Sequence, residues 1–331
     1  MQVVSPKSRH LLVLGTGGTI AGEAGSRSDN VGYKAAQRSV DDLLAGLPLP
    51  AGCAVRCEQV LQLDSKDMDA DGWQRLLWRL AEAIDDPEVQ GIVVTHGTDT
   101  LEETAYLLHA LLPDTKPVVL TCAMRPATAL MSDGPQNLVD ALAVAADPAA
   151  AGVCVVCAGV IHDPVSVQKV HTYRPDAFDS GDSGPMGHVR EGCPVWGRTQ
   201  AGAAARFSPA VLKAVLACPA AQWPWVVVLL SHGGVCGTML EAVLAQGGGL
   251  AGVVLAGTGN GTLNRALDAS LHSAAQRGVR IWRSSRCVHG PVLGHGQGWP
   301  IAAGLNPVKA RLSLMLTLLA ERAGLAGDLA R

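Results

Sequence analysis

Short apolar runs alternate with longer amphipathic runs along the first half of the chain, and this alternation limits the possible folds more than any other feature. Strands buried in a parallel sheet are continuous apolar runs, whereas the helices that cover it carry apolar residues at helical spacing. The apolar runs are Leu11–Leu14, Gly91–Thr95, Pro117–Thr121 and Gly152–Ala158. The amphipathic runs are Asp69–Ile84, Leu101–Leu112 and Pro135–Ala145. The pattern predicts βαβ units and a parallel sheet.

A second alternating set follows Trp223. Its predicted strands are Trp225–Ser231, Gly252–Ala256 and Val279–Arg283, and its predicted helices are Thr238–Ala245, Leu263–Arg277 and Pro307–Arg322. A segment rich in Gly, Ala, Arg and Pro, Glu191–Pro209, separates the two sets. The prediction is an α/β fold with two domains, each a mostly parallel sheet flanked by helices. We place the N-terminal domain at residues 1–200, a linker at 201–222 and the C-terminal domain at 223–331.

Charge and hydropathy exclude two classes of partner. The net charge is −3 and the Lys and Arg residues are scattered, so the chain lacks the basic field that nucleic acid or an anionic membrane requires. Charged residues make up 17% of the chain, below the usual ~25%, which favours burial of surface by self-association. We expect a small-molecule substrate or a protein partner. Because the chain begins at Met1 without a signal-peptide core or a membrane span, we expect a cytoplasmic protein.

Cysteine and histidine spacing gives no metal or disulfide pattern. Cys154 and Cys157 stand three residues apart in an apolar run, so strand geometry places them on opposite faces. We expect these two, and likewise Cys53 and Cys57, to be buried reduced thiols. The chain has no H-E-x-x-H or similar spacing, and we expect neither a metal nor a cofactor.

The first candidate site is a glycine-rich turn that follows the first predicted strand. It reads G-T-G-G-T-I-A-G over residues 15–22 and carries two hydroxyls, Thr16 and Thr19. Its glycines let the backbone approach a ligand and expose N–H groups. A dinucleotide-binding loop, G-x-G-x-x-G, is the alternative, although Ile20 stands where the third glycine belongs. Taken alone, the segment leaves catalysis, nucleotide binding and a plain turn open.

A second polar turn, T-H-G-T-D-T, joins a predicted strand to a predicted helix. In a parallel sheet such a turn lies at the carboxyl edge, where these folds bind ligands. The helix N-terminus offers N–H groups and a partial positive charge, which suit a carboxylate or a developing oxyanion. Thr100 and Glu103 match a capping box, which leaves Thr98 and Asp99 for other work. Pure helix capping is the alternative.

Two further segments are candidates for the site only if the fold brings them next to these turns. Ser65 and Lys66 lie in a polar loop that precedes a predicted helix. Lys169 ends the alternating segment V-S-V-Q-K, which predicts a strand with Lys169 on the face of the two valines. Such a lysine is most often a surface residue. Beside Asp99 and partly removed from water, it would be a usable base.

Together these segments resemble the bacterial-type L-asparaginase/glutaminase family. T-G-G-T-I-A at Thr16–Ala21 and H-G-T-D-T at His96–Thr100 match its two motifs, and the pair is far more specific than either motif alone. Further matching stretches, in order along the chain, are Cys122–Pro126, Ser132–Pro135, Gly257–Gly261 and Leu305–Arg311. The resemblance implies a larger N-terminal domain, a smaller C-terminal domain and a homotetramer of close dimers.

The resemblance assigns catalytic roles to five residues. Thr19 matches the family's nucleophile, and Tyr33 matches a tyrosine that lies against it on a mobile loop. Thr98, Asp99 and Lys169 match a second triad. The implied reaction is hydrolysis of a small amino-acid amide, L-asparagine, to L-aspartate and ammonia. Thr19 would form an acyl-enzyme, and water activated by the triad would release the product.

Substrate contacts follow from the same resemblance. Ser65 and Asp99 match groups that hold the α-carboxylate and the α-ammonium, and the main chain of Ala123 matches a contact to the amide nitrogen. N–H groups around Gly18 and in the second turn are expected to stabilise the oxyanion. Asn260 matches a residue offered across a subunit interface into the neighbouring site.

Two departures from the family affect substrate choice. Lys66 stands where extracellular high-affinity members have Gln, and it would add positive charge beside the substrate. Those members also offer a Glu from a neighbouring subunit, and the matching stretch Cys287–Pro300 contains no acidic residue. Both changes weaken capture of a cationic α-amino group. We expect modest asparagine affinity and little glutaminase activity, and a substrate with a blocked amino group becomes conceivable.

Three alternatives of other classes remain. A dinucleotide-dependent oxidoreductase rests on the first glycine loop alone. A non-catalytic amino-acid sensor on the same scaffold is disfavoured because all five catalytic positions are intact. A tRNA-coupled amidotransferase subunit is disfavoured because the chain has no basic patch or appended RNA-binding segment.

Overall fold

The computed structural model describes residues 9–198, 206–247, 249–294, 298–302 and 304–326. Two compact units divide the chain, Met1–Gly202 and Ala203–Arg331. Each unit contains a mostly parallel sheet flanked by helices, so the predicted fold class is confirmed. The predicted start at Met1 and part of the predicted linker lie outside the described residues.

The first unit is built on a sheet with the strand order β10-β9-β6-β5-β4-β3-β1-β2. Its strands are β1 His10–Gly17, β2 Ala54–Leu63, β3 Val89–Thr95, β4 Pro117–Thr121, β5 Gly152–Cys157, β6 Val160–His162, β9 Gly187–Arg190 and β10 Cys193–Trp196, and a separate pair is formed by β7 Gln168–Lys169 and β8 Phe178–Asp179. Strands β1 to β5 pair in parallel. The carboxyl ends of β1, β3 and β4 therefore lie side by side.

Helices cover the sheet of the first unit. They are α1 Val40–Leu44, α2 Ala70–Asp85, α3 Leu101–Leu111 and α4 Gly134–Ala146. Helix α4 buries Leu138, Ala141, Leu142 and Ala145, which follow helical spacing, in one core cluster with residues of the central strands. Each buried leucine of this kind contributes about 1.5–3 kcal/mol to stability. The turns that follow the strands are thereby fixed to a rigid layer.

Strand β2 is the main element that the apolar pattern did not predict. It forms the edge of the sheet beside β1, and most of its side chains are exposed or half-buried. A strand at such an edge needs no continuous apolar run, so its sequence, A-V-R-C-E-Q-V-L-Q-L, gives a weak signal. The predicted strands and helices of this unit are present with ends shifted by a few residues.

The second unit contains a parallel sheet with the order β11-β12-β13. Its elements are α5 Pro209–Ala217, β11 Trp225–Leu230, α6 Thr238–Ala245, β12 Leu250–Gly257, α7 Arg265–Gln276, β13 Arg280–Ser285 and α8 Pro307–Arg322. Helix α5 falls inside the predicted linker 201–222, which is a correction to that prediction. Val211 and Val215, four residues apart, are buried as α5 packs against α8. An Ala-rich helix of nine residues gives little periodic signal.

Cys154 and Cys157 are buried on β5, and the nine cysteines carry free thiols. Within the described part of the chain, no helix is long and apolar enough to span a bilayer.

Candidate active site

Two strand-end turns meet at the carboxyl edge of the first sheet, because β1 lies beside β3. The Thr16 hydroxyl donates to the Thr95 carbonyl oxygen at 2.8 Å and ties the first turn to the second strand. Gly18, with a φ of 80°, packs so closely that a Cβ at this position would overlap the backbone of Gly97. Only glycine fits such an approach. The threonines that follow these two glycines are thereby brought to the same edge.

Thr19 is buried at the start of a short 3-10 helix, Thr19–Ala21. Its Oγ1 lies 2.7 Å from the hydroxyl oxygen of Tyr33. Tyr33 belongs to a loop whose ends, Glu23 and Lys34, exchange two main-chain hydrogen bonds of 2.9 Å. The structure therefore places a phenol directly on the candidate nucleophile.

The dinucleotide-binding alternative does not fit this turn. That motif opens directly into a full helix whose N-terminus takes the pyrophosphate. Here β1 is followed by three residues of 3-10 helix, and the next helix begins only at Val40. The turn lacks the helix dipole that a dinucleotide phosphate requires.

Lys169 lies against the second turn. Its Nζ donates to Thr98 Oγ1 at 2.8 Å and to Asp99 Oδ1 at 2.6 Å. The Lys169 side chain is 18% exposed and that of Asp99 is 52% exposed, so the ammonium is the more enclosed partner. The predicted strand is shorter than expected: β7 spans only Gln168–Lys169, whereas Val167 lies in a turn closed by its amide on the Asp163 carbonyl.

Ser65 joins the second turn from the loop after β2. Its buried Oγ accepts the Asp99 amide N–H at 3.2 Å, and its carbonyl oxygen accepts the Thr100 hydroxyl at 2.8 Å. The predicted capping box of Thr100 and Glu103 is therefore wrong, because Thr100 makes no side-chain cap to its own helix. The hydroxyl instead fastens the Ser65 loop beside Asp99.

Lys66 is not the isolated positive charge that the sequence analysis considered. Its exposed ammonium pairs with both Asp67 and Asp64, the latter at 3.4 Å. The hydrogen bond to Asp67 raises the pKa of Lys66 above its ordinary value. One ammonium and two carboxylates leave this cluster net negative, so the positive charge that Lys66 is expected to add is offset by its acidic neighbours. The acidic residues one and two positions away in the sequence, Asp67 and Asp64, were the available signal.

Ala123 follows β4 and packs in one cluster with Ile20 and Ala21 of the first turn. Its loop is held by Asp133, whose carboxylate accepts the amides of Met124 and Arg125 at 2.9 Å each. This contact fixes the main chain beside Thr19. Sequence reasoning quoted Asp133 only as part of a matching stretch and gave it no function.

Asn137 adds a second tie to the Ala123 loop. Its Nδ2 donates to the Cys122 carbonyl oxygen, and its Oδ1 accepts the Ala158 amide, both at 2.9 Å. A polar residue on the buried face of an apolar helix was the signal available in the sequence.

Main-chain N–H groups supply candidate oxyanion donors, but not the one expected at Gly18. The Gly18 amide donates to the Leu63 carbonyl oxygen at 2.8 Å and is therefore already engaged. Among the described residues, the amides of Thr19 and Thr98 donate to no protein acceptor. Thr19 follows Gly18 and Thr98 follows Gly97, the two glycines that pack against each other.

A buried polar row lies behind the second turn. Trp73 Nε1 donates to Thr104 Oγ1 at 2.9 Å, Thr104 Oγ1 lies 3.0 Å from His96 Nε2, and His96 Nδ1 lies 2.7 Å from the Gly97 carbonyl oxygen. Burial lowers the pKa of His96 to about 4, so its ring is neutral near neutral pH. Trp73 and Thr104 come from α2 and α3, and no sequence motif marked them.

Asn260 lies in the second unit. Its side-chain amide donates to the Leu293 carbonyl oxygen and accepts the Leu293 amide, both at 2.7 Å. Its predicted contact across a subunit interface stays a prediction. Residues 295–297 of the acid-free stretch lie outside the described residues. Among the residues that the structure describes, no group of three or more His, Cys, Asp or Glu side chains could hold a metal ion.

Known proteins match both domains of the chain. Family models match residues 10–201 (Asparaginase, N-terminal) and residues 225–323 (Glutaminase/Asparaginase C-terminal domain). A glutaminase-asparaginase of Pseudomonas fluorescens biotype A is 37% identical over 94% of this chain and 87% of that protein. L-asparaginase 2 of Escherichia coli K12 is 34% identical over 93% of this chain and 88% of that protein. The crystal structure of a probable cytoplasmic L-asparaginase from Campylobacter jejuni has a TM-score of 0.87, 33% identity, and covers 97% of this chain and 99% of that one.

The fold and these matches define an amidohydrolase. The chain belongs to the asparaginase family, and the resemblance carried by its two threonine motifs is confirmed.

Proposed function

We propose that this enzyme hydrolyses the side-chain amide of L-asparagine through an acyl-enzyme on Thr19. The observation that carries the proposal is the meeting of the two turns, which places Thr19 with Tyr33 and Thr98 with Lys169 at one sheet edge. A threonine hydroxyl is a weak nucleophile unless a neighbouring group takes its proton. The 2.7 Å contact to Tyr33 provides the nearest such group.

The first step forms the ester and releases ammonia. Thr19 Oγ1 attacks the amide carbon and gives up its proton towards Tyr33, while the amides of Thr19 and Thr98 receive the oxyanion. Tyr33 passes a proton on to the nitrogen of the tetrahedral intermediate in exchange for the one it receives from Thr19, the C–N bond breaks, and ammonia leaves. In this proposal the main chain of Ala123 contacts that nitrogen.

The second step releases L-aspartate. A water positioned by the Thr98–Lys169–Asp99 set attacks the ester carbonyl; Thr98 Oγ1 takes a proton from this water and passes its own to the Thr19 oxygen as the ester bond breaks. Asp99 keeps Lys169 in place through its 2.6 Å contact. Ser65 and the outer oxygen of Asp99 hold the α-carboxylate and the α-ammonium, with Asn260 of a neighbouring copy completing the site.

Substrate preference follows from the charges beside Ser65. The net negative cluster of Lys66, Asp64 and Asp67 partly offsets the lack of an acidic residue in Cys287–Pro300. We expect asparagine to be the preferred substrate, with modest affinity and little glutaminase activity. An extra methylene in a fitted pocket changes kcat/KM by roughly 10–200-fold.

We further propose a cytoplasmic homotetramer. The proposal rests on the resemblance in sequence, on the low charged fraction of 17% and on the similarity to a probable cytoplasmic L-asparaginase. Light scattering during size-exclusion chromatography measures the assembly directly.

Ammonia release from asparagine, glutamine and N-acetylasparagine, measured side by side with the full chain, tests the function. The expected result is turnover of asparagine, with glutamine at least roughly tenfold lower in kcat/KM. A micromolar KM for both amino acids contradicts the preference. Release from N-acetylasparagine alone moves the assignment to blocked substrates, and no release from any amide supports a sensor instead.

A further inference from the structure

In the buried row Trp73–Thr104–His96–Gly97, each hydrogen bond is donated in the same direction along the row. A carbonyl oxygen only accepts hydrogen bonds, so His96 Nδ1 carries the proton in its 2.7 Å contact with Gly97. The buried ring is neutral, so Nε2 has no proton and accepts the Thr104 hydroxyl. Indole Nε1 only donates, so Trp73 supplies the proton that Thr104 Oγ1 accepts. Every donor in the row is therefore oriented towards Gly97.

The end of this row lies on the peptide group that precedes Thr98. The Gly97 carbonyl and the Thr98 N–H belong to one planar unit, so a hydrogen bond on the oxygen fixes the plane of the N–H. It also polarises the unit, because hydrogen bonds in a chain strengthen one another. The row ends at Gly97, and the amide beyond it has no protein acceptor among the described residues.

We propose that His96 and Thr104 are positioning residues that orient and strengthen the Thr98 amide as an oxyanion donor. This inference rests on the proposed function, in which that amide receives the negative charge. Thr104 has a specific part, because its hydroxyl keeps His96 in the tautomer that carries the proton on Nδ1. Without that hydroxyl the proton can move to Nε2, and the bond to Gly97 is lost.

The expected size of the effect follows from two known magnitudes. Removal of one oxyanion donor costs about 10²–10³ in kcat. Cooperative strengthening is worth roughly 10–30% of a hydrogen bond, which corresponds to a roughly two- to eightfold change in kcat. Because the charge develops only in the transition state, KM should stay unchanged.

The test compares Thr104→Val with Thr104→Ser in the full-length enzyme, by kcat and KM for asparagine. Valine keeps the shape and removes the hydroxyl, whereas serine keeps it. We expect Thr104→Val to lower kcat two- to eightfold at constant KM, and Thr104→Ser to restore it. Thr317→Val is the matched control, since it likewise removes a buried, hydrogen-bonded threonine hydroxyl, there a donor to the Ser313 carbonyl oxygen in the second unit, and its kcat should equal wild type.

A second pair keeps the test decisive if Thr104→Val does not fold. His96→Asn places an amide N–H close to the position of Nδ1, whereas His96→Leu has no donor. We expect a higher kcat for His96→Asn than for His96→Leu at equal KM. Equal kcat in this pair, or an unchanged kcat in folded Thr104→Val, overturns the positioning role. A wild-type enzyme that releases no ammonia from asparagine refutes the proposed function instead, so the two failures are distinguishable.

Discussion

The two turns at the sheet edge each present a threonine, but they are supported in different ways. The first turn is held by main-chain bonds, with the Gly18 amide on Leu63 and the Ala36 amide on the Gly18 carbonyl oxygen. The second is held by buried side chains, the row that ends in His96, and by the Ser65 loop. The same edge therefore contains one turn fixed mainly by main-chain bonds and one fixed mainly by buried side chains.

Their hydroxyl partners differ as well. Thr19 contacts a phenol on a loop whose outer part is exposed, with Val31 at 75% exposure. Thr98 contacts an ammonium that is itself paired to Asp99. A partner on an exposed loop can separate to admit substrate, whereas the paired Lys169 and Asp99 hold Thr98 in a fixed frame that suits the positioning of a water. On this basis we propose that the first turn attacks the amide and that the second turn hydrolyses the ester.

Alanine substitution of each of the two threonines gives the largest expected loss of kcat. Thr19→Ala should lower kcat by on the order of 10⁴-fold or more and form no ester, because the attacking oxygen is gone. Thr98→Ala should lose a similar factor in turnover but accumulate the ester, visible as one equivalent of ammonia per site and an added aspartyl mass on Thr19.

Thr19→Ser is the control for this pair, since it retains a hydroxyl and should keep measurable turnover. An aspartyl ester in Thr19→Ala, or its absence in Thr98→Ala, would reverse the assignment of the two turns.

The partners of the threonines give the next largest effect. Lys169→Met should lower kcat by on the order of 10³-fold, because it removes the charge that orients Thr98 and leaves Asp99 unpaired. Tyr33→Phe should cost less, on the order of 10²-fold, because water can reach the loop and replace the phenol. Steady-state ammonia release measures both.

Lys213→Met removes an exposed lysine of α5 and should leave kcat unchanged. A larger loss for Tyr33→Phe than for Lys169→Met would break the ranking of the two turns.

Acid should destabilise the folded chain through His96 of the second turn, and this is the smallest of the three expected effects. Burial lowers the pKa of His96 to about 4 from its ordinary 6.5, so between these values the unfolded chain binds a proton that the folded chain does not. Stability therefore falls as pH drops from 6.5, by about 3 kcal/mol from this group at pH 4. Denaturant unfolding at several pH values measures the slope.

His96→Asn lacks the titrating ring and should lose less stability over the same range, whatever its stability at neutral pH. Parallel pH dependences for the two proteins would show that His96 does not titrate on unfolding.

The local sequence pattern was sufficient to predict most of the strands and helices. Apolar runs located β3, β4 and β5, and helical spacing located α2 and α4, because burial in a parallel sheet or on its face imposes a fixed period on consecutive residues. Edge strand β2 and helix α5 were not predicted, because an exposed edge strand and a short Ala-rich helix impose little period on the apolar residues.

The candidate site likewise has features that local sequence predicts and features that only tertiary contacts set. The motifs determined by themselves which threonines stand at the strand ends, since glycine-flanked turns are local features of the sequence. Tertiary structure decided that Lys169, 70 positions away, reaches Asp99, that Ser65 rather than its own helix takes the Thr100 hydroxyl, and that Lys66 is already paired. Those choices depend on which distant groups come within hydrogen-bonding distance, and no periodicity along the chain records that distance.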